Sequence, residues 1–257
     1  MEIAEHLLNL RGDGELLADV AERVGLDARV PTCPEWAVRD LVRHQGDVHR
    51  WAAGNLTRNT SVEMSAEESE AVLFTWPDAD DGLIAWFRDG HALLVETLES
   101  VPDDVVAFTF IAAPSPRAFW ARRQAHETAI HRADAESVAG PITPYDAQFA
   151  ADGIDELMYG MASRPGRITA DPPRTLRVDG ADSSRIWQLT IGPDGLTVSD
   201  EGGEADCWVS GPTSDLYLLL WNRRTTEGLQ VAGDPSLLDH WRDVLKVRWS
   251  GATKKSG

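Results

Sequence analysis

Residues 124–135 read QAHETAIHRADA, and the helix that contains them limits how the rest of the chain can pack. The spacing predicts a helix over residues 115–138, in which alanine recurs every fourth position, at Ala121, Ala125, Ala129 and Ala133. Positions four apart lie on one face of a helix, and a ridge of small side chains lets another helix approach closely. The stretch therefore predicts a close-packed helical bundle.

The same stretch carries two histidines and a glutamate in the order HETAIH. His126 and His131 are five positions apart, which places their side chains about 140° apart around a helix, so they cannot hold one ion. The HExxH motif of zinc proteases needs histidines four positions apart, and a metalloprotease is excluded on this geometry. Glu127 and His131 are four apart and stack on one face.

A further candidate ligand lies in the helix predicted over residues 35–58. The residues of a core seam recur there at 3-4-3 spacing, at Leu41, His44, Val48 and Trp51. His44, Glu127 and His131 would together make a two-histidine, one-glutamate set, and three protein ligands with an open position are typical of catalytic zinc sites. Asp40 or Asp134 would orient the ligands.

The residues alone leave two other interpretations open. A single histidine in a core seam is commonly a hydrogen-bonded core residue, which is the alternative for His44. Glu127 and His131 could equally form an ion pair on a solvated helix face. The spacing assigns no role to His49 or His126.

The chain divides into a helical and a mixed half. Residues 1–163 are predicted as a helical bundle, with helices over residues 3–24, 35–58, 79–100, 115–138 and 144–162. Residues 164–250 are predicted as a small α+β domain, which makes the fold class α+β overall. Its predicted strands are RTLRVDG, RIWQLTIG, GLTVSD, ADCWVSG and LQVAG, with helices over residues 212–222 and 234–245. The tail 251–257 is predicted to be disordered.

Charge and composition exclude several classes of function. With 24 Lys and Arg against 42 Asp and Glu, the formal net charge is -18, so nucleic-acid and anionic-membrane partners are not expected. No apolar run approaches the roughly 18–20 residues that span a membrane. The two cysteines, Cys33 and Cys207, form no Cys-x-x-Cys pair, and the acidic start is unlike a signal peptide. We expect a cytoplasmic protein.

Four segments resemble a known family. VPTCPEWAVRDLVRHQGDVHRWA and FWARRQAHETAIHRADAE resemble the mycothiol-dependent maleylpyruvate isomerase family of actinobacteria, and ADCWVSGPTSDLYLLLWNRR and LQVAGDPSLLDHWRDVL resemble its C-terminal domain. The resemblance implies a DinB-like four-helix bundle followed by a sterol-carrier-like α+β domain. It also implies a metal set on His44, Glu127 and His131, the three residues that the spacing indicates.

The resemblance implies a mechanism as well. A divalent metal, in the first place zinc, would take the thiol of mycothiol at its open position and stabilise the thiolate. In the isomerase, the thiolate adds to the cis double bond of maleylpyruvate, the resulting single bond rotates, and elimination gives fumarylpyruvate. The family has an arginine at the position of Arg223, which would bind a carboxylate of the small electrophilic substrate; Arg224 is the neighbouring alternative.

Two other functions remain open at this stage. Related bundles are thiol S-transferases, so the chain could use mycothiol on other electrophiles. From a different class, the lipid-carrier-like second domain could make the chain a non-catalytic protein that binds an apolar ligand. An apolar tunnel within residues 175–245 would favour the second alternative.

Overall fold

The computed structural model describes residues 1–246, and the predicted disordered tail 251–257 lies outside them. The α-helices are α1 (Ile3–Val24), α2 (Val38–Thr57), α3 (Ala66–Val72), α4 (Leu83–Ser100), α5 (Pro116–Ala139), α6 (Ala147–Asp155), α7 (Thr213–Leu220) and α8 (Ser236–Val244). A π-helix, Glu156–Ala162, follows α6 directly. The strands are β1 (Arg174–Gly180), β2 (Arg185–Gly192), β3 (Gly195–Ser199), β4 (Cys207–Gly211) and β5 (Gln230–Gly233). The α+β fold class is confirmed.

Contacts within the chain group its residues into two compact units, one holding Met1–Thr143 and one beginning at Pro144. The predicted domain boundary after residue 163 stays a prediction. In the grouping by contacts, α6 and the π-helix belong to the same unit as the sheet. The single helix predicted over residues 144–162 is two elements in the structure, α6 and the π-helix.

The first unit is built on four long helices. α1 packs against α5 and α4, and α2 packs against α4 and α5, so the four helices surround one core. The four alanines of the predicted ridge on α5 are fully buried, and α5 packs most extensively against α1. The close packing predicted from the alanine spacing is therefore present.

Two of the four long bundle helices begin three or more residues later than predicted. α2 begins at Val38 rather than at residue 35, because residues 33–36 form a turn in which the Trp36 N–H donates to the Cys33 carbonyl at 2.8 Å. α4 begins at Leu83 rather than at residue 79, because Gly82 has a φ of 86°, a left-handed conformation that cannot continue a helix. The short helix α3 was not predicted.

The second unit contains a five-stranded sheet in the order β3-β2-β1-β4-β5, with β1 and β4 parallel and the other neighbours antiparallel. Every predicted strand is present within two residues at each end. The alternation predicted for half-buried strands is observed, since Leu176 and Val178 of β1 and Trp187 and Leu189 of β2 are buried. Helix α7 packs against β1, β4 and α6.

Candidate metal centre

Three side chains from two helices of the bundle converge on one point. The Glu127 Oε1 atom lies 3.3 Å from His131 Nε2 on its own helix, α5, and 3.6 Å from His44 Nε2 on α2. One potential ligand atom from each residue lies within 4.8 Å of the other two. The structure thus brings together the three residues that the sequence predicts as ligands, through the packing of α2 on α5.

The three side chains lie close to the surface without being open to it. Their exposed fractions are 12% for His44, 18% for Glu127 and 8% for His131. The interpretation of Glu127 and His131 as a solvated surface pair is therefore wrong.

The pKa shifts of Glu127 and His44 favour the charge states in which these two side chains bind a metal. Burial acts to raise the pKa of the Glu127 carboxyl, but hydrogen bonds with His131 and His44 and the nearby Arg123 outweigh it, so this pKa lies well below the ordinary value. Burial lowers the pKa of His44, against the opposing effect of Glu127. At neutral pH the carboxylate is ionised and His44 is neutral, which are the forms that coordinate a cation.

Asp134 holds the second nitrogen of His131. The Asp134 Oδ2 atom lies 2.8 Å from His131 Nδ1, and the Asp134 side chain is fully buried. Burial alone would lower the pKa of His131, but the hydrogen bonds with Asp134 and Glu127 raise it. Because Nδ1–H donates to the carboxylate, Nε2 is the nitrogen directed at Glu127, as in the carboxylate–histidine pairs of metal sites.

Of the two acids predicted to orient the ligands, only Asp134 makes that contact. Its second oxygen, Oδ1, accepts a hydrogen bond from Thr32 Oγ1 at 2.5 Å, which ties the loop before α2 to the face of α5 that carries the candidate ligands. Asp40 instead accepts the backbone N–H of Ala37 at 2.9 Å. It stabilises the first turn of α2, where an acid also complements the helix dipole.

Arg123 contacts the candidate ligand Glu127 and is absent from the sequence-based set. It is buried one turn before Glu127, and its Nη2 atom donates to Glu127 Oε2 at 2.7 Å. The guanidinium engages one carboxylate oxygen and leaves the other, Oε1, directed at the two imidazoles. The signal was present in the sequence as an Arg–Glu pair at i,i+4.

Trp36 forms an aromatic wall beside the site. Its ring lies 5.0 Å from the His44 ring and 6.0 Å from the His131 ring, measured between centroids, and it is stacked on His131. The two histidine rings meet edge to face at 4.9 Å. The indole limits how far either ligand can rotate.

Comparison with known proteins identifies the family. Residues 10–136 match the profile described as the mycothiol maleylpyruvate isomerase N-terminal domain, and residues 148–240 match the C-terminal domain of the same family. The chain belongs to the mycothiol maleylpyruvate isomerase family. A comparison with curated protein sequences finds no significant match.

Solved structures confirm the family fold. The crystal structure of the mycothiol-dependent maleylpyruvate isomerase is 15% identical to this chain, covers 90% of it and 93% of its own chain, and has a TM-score of 0.62. A point mutant of that enzyme gives 14% identity, the same coverages and a TM-score of 0.63. At such identities the likeness shows the fold alone.

None of the helices within residues 1–246 is long and apolar enough to cross a membrane.

The remaining histidines of α2 and α5 lie away from the three ligand atoms. His126 is fully buried, and its ring lies 6.0 Å from that of His6 on α1, as its five-residue offset from His131 requires. His49 is fully buried and lies within hydrogen-bonding distance of Gln45 and Thr128. Neither residue belongs to the group formed by His44, Glu127 and His131.

Arg223 lies in the C-terminal unit of this family member, just after α7. Its backbone N–H donates to the Leu218 carbonyl at 2.7 Å, and its Nη1 donates to the Trp221 carbonyl at 2.9 Å. The alternative, Arg224, forms an ion pair with Asp215. The assignment of Arg223 to substrate binding stays a prediction.

Proposed function

We propose that the chain is a metal-dependent and mycothiol-dependent enzyme of the maleylpyruvate isomerase type. The observation that carries the proposal is the convergence of His44 Nε2, Glu127 Oε1 and His131 Nε2 in a family whose described activity uses a thiol cofactor. Two imidazole nitrogens and one carboxylate oxygen are ligands that suit a borderline divalent cation such as zinc. The residues therefore fit the ion that the family implies.

The chain's own residues would hold and shape this centre. His44, Glu127 and His131 would be the ligands, Asp134 would keep the proton of His131 on Nδ1, and Arg123 would hold Glu127 by its second oxygen. A bound divalent ion would supply an open coordination position at which a thiol loses its proton at neutral pH. Trp36 would screen that position from water.

The proposed reaction is cis–trans isomerisation of an electrophilic double bond. Addition of the mycothiol thiolate to one carbon converts the double bond to a single bond, rotation follows, and elimination returns the thiolate with the trans product. No net oxidation occurs, and the thiol is regenerated. A mycothiol S-transferase would use the same first step but retain the carbon–sulfur bond in the product.

The chain's own cysteines are poor candidates for the nucleophile. Cys207 is buried in β4, where burial raises the pKa of its thiol. Cys33 lies in the loop before α2 and is half-buried. We therefore expect the Cys33→Ser variant to keep full activity with added mycothiol, whereas a loss of turnover in this variant would place the nucleophile in the chain.

The non-catalytic alternative is not favoured by the second unit. Large side chains fill the core of this unit. They include Trp187 and Leu189 of β2 and Leu216 and Tyr217 of α7, each at most 1% exposed. One cavity of this unit, about 290 Å³, is an open cleft lined by Arg177, Asp179, Gly203, Ala205 and Trp208. A tunnel for an apolar ligand is not among these features.

The test is an activity screen on the zinc-loaded protein with mycothiol and maleylpyruvate. Conversion to fumarylpyruvate without net thiol consumption is expected. A stable thioether product with any electrophile of the panel would support the transferase instead, and turnover that does not need mycothiol would contradict both. In the same assay, Arg223→Met should lower kcat/KM by roughly 10- to 100-fold, and a larger loss in Arg224→Met than in Arg223→Met would assign the role to Arg224.

A further inference from the structure

A buried polar cluster links α2 and α5 beside the candidate ligands. Gln45 Nε2 lies 2.9 Å from His49 Nε2 and donates to Thr128 Oγ1 at 3.1 Å, and His49 Nε2 lies 2.9 Å from the same hydroxyl. All three side chains are 0% exposed. We call this set the Gln45–His49–Thr128 triad.

The triad lies one residue along from a ligand on each helix. Gln45 follows His44 on α2, and Thr128 follows Glu127 on α5. The hydrogen bond from Gln45 to Thr128 therefore joins the two helices at the level where the ligand atoms must meet. A shift of either helix that broke this bond would also change the separation of His44 from the α5 ligands.

The third member, His49, anchors the triad to the bundle. Its ring packs 5.5 Å from Phe87 and 5.2 Å from His91 of α4, measured between ring centroids. The Gln45 amide nitrogen can only donate, so His49 Nε2 accepts and the ring proton lies on Nδ1. The imidazole of His49 thus contacts side chains of α2, α4 and α5.

Apolar side chains at these three positions would stabilise the fold more than the triad does. Gln45 Oε1 and His49 Nδ1 are buried without a hydrogen-bond partner among the described residues. A partly satisfied buried network is less stable than well-packed apolar side chains of the same volume. Hydrogen bonds are directional, so the triad can fix the register of the two helices. Van der Waals contacts alone would let the helices slide along each other.

We propose that the Gln45–His49–Thr128 triad positions α2 against α5, so that His44 is held at coordination distance from Glu127 and His131. The inference rests on the proposed metal site and adds three positioning residues to it. None of the three is a ligand. Their effect on metal binding is exerted through the backbone of the two helices.

The experiment compares two threonines of the bundle. Thr128→Val removes the hydroxyl at nearly constant volume, Thr128→Ser retains it, and Thr97→Val is the matched control, because Thr97 is buried on α4 and donates to Leu93 of its own helix at 2.7 Å. The zinc dissociation constant is measured by chelator competition, and the visible spectrum of the cobalt-substituted protein is recorded. Both are measured well below the unfolding temperature.

We expect Thr128→Val to weaken zinc binding by roughly 10- to 100-fold, the range typical of groups that orient metal ligands, and to change the cobalt spectrum. Thr128→Ser and Thr97→Val should resemble the wild type. If Thr128→Val does not fold, Gln45→Met removes the same hydrogen bond from the other helix and has the same expected result.

Two results would overturn the inference in distinguishable ways. If Thr128→Val, or Gln45→Met in its place, binds zinc as tightly as Thr97→Val with an unchanged cobalt spectrum, the triad has no positioning role, even where the variant is less stable. If the wild type itself binds no zinc, the proposed metal centre is wrong and the inference fails with it.

Discussion

Helix α5 carries two buried charge clusters that are built from similar residues and solve different problems. In one, Arg132 Nε lies 2.9 Å from Asp13 of α1, and its Nη1 donates to Glu136 at 2.8 Å and to the Thr143 carbonyl at 3.1 Å. In the other, Arg123, Glu127 and Asp134 surround the histidine ligands.

The difference lies in where the charged atoms are directed. In the Arg132 cluster the guanidinium sits between two carboxylates, and Thr143 donates to both oxygens of Glu136. In the Glu127 cluster, Arg123 and Asp134 take the outer atoms, and one oxygen and two nitrogens point at a shared position. A closed cluster ties helices together, whereas a convergent one is suited to bind a cation.

The comparison is tested most strongly by replacing the buried arginine of each cluster with methionine. The variant of the closed cluster is Arg132→Met. Arg132→Met leaves Asp13 and Glu136 buried without their cation, and we expect it to lower the free energy of unfolding by about 3–5 kcal/mol. Its zinc affinity should be unchanged while the protein is folded. Chemical denaturation and chelator competition measure the two effects, and a large loss of zinc affinity would mean that the clusters are not separate.

The closed cluster also predicts a pH dependence of stability. Burial raises the pKa of Asp13 to about 6, against the lowering effect of Arg132. The folded state therefore holds this proton more tightly than the unfolded state, and the contribution of Asp13 to stability falls as pH rises from about 4 to about 6. The loss is of the order of 3 kcal/mol.

The Asp13→Asn variant isolates this contribution. The difference in unfolding free energy between wild type and variant should decrease over that pH window and stay constant above it. Denaturation curves at several pH values measure it. A difference that increases with pH would mean that the pairing with Arg132 outweighs burial.

In the convergent cluster the corresponding change should act on the metal. Arg123→Met frees Glu127 Oε2, allows the carboxylate to rotate, and should weaken zinc binding by roughly 10- to 100-fold. The neighbouring Arg122→Met is the control for loss of one positive charge on α5. Equal zinc affinity in the two variants would show that Arg123 serves stability only.

The smallest expected effect is that of Asp134→Asn. The amide oxygen can still accept from His131 Nδ1, but the charge that favours this tautomer is lost, so we expect a loss of zinc affinity of about 10-fold. Asp13→Asn is the matched control and should leave zinc affinity unchanged. A larger effect from Asp13→Asn than from Asp134→Asn would reverse the roles given to the two clusters.

The sequence predicted those features that depend on local spacing. The alanine ridge of α5, the alternating strands of the sheet, and the separation of His126 from the face of Glu127 and His131 all follow from helical or strand periodicity. His44 was found by its place in a seam of α2. The family resemblance then indicated the same three ligands.

The features that were missed depend on contacts between distant segments or on turn geometry. The hydrogen bond from Thr32 to Asp134 joins residues 102 positions apart, and no local pattern indicates it. Asp40 is a candidate orienter by sequence because it lies one turn before His44; with the helix beginning at Val38, this acid lies in the first turn and accepts the Ala37 N–H instead. Arg123 was visible at i,i+4 from Glu127, but its burial was not.

The most direct measurement of the central claim is metal analysis of protein purified without a histidine tag, reconstituted with zinc and dialysed. The wild type should retain about one ion per chain. His44→Ala should lose it, while His240→Ala, which changes a half-buried histidine of the second unit, should retain it. Equal zinc content in the wild type and His44→Ala would contradict the assignment of the ligand set.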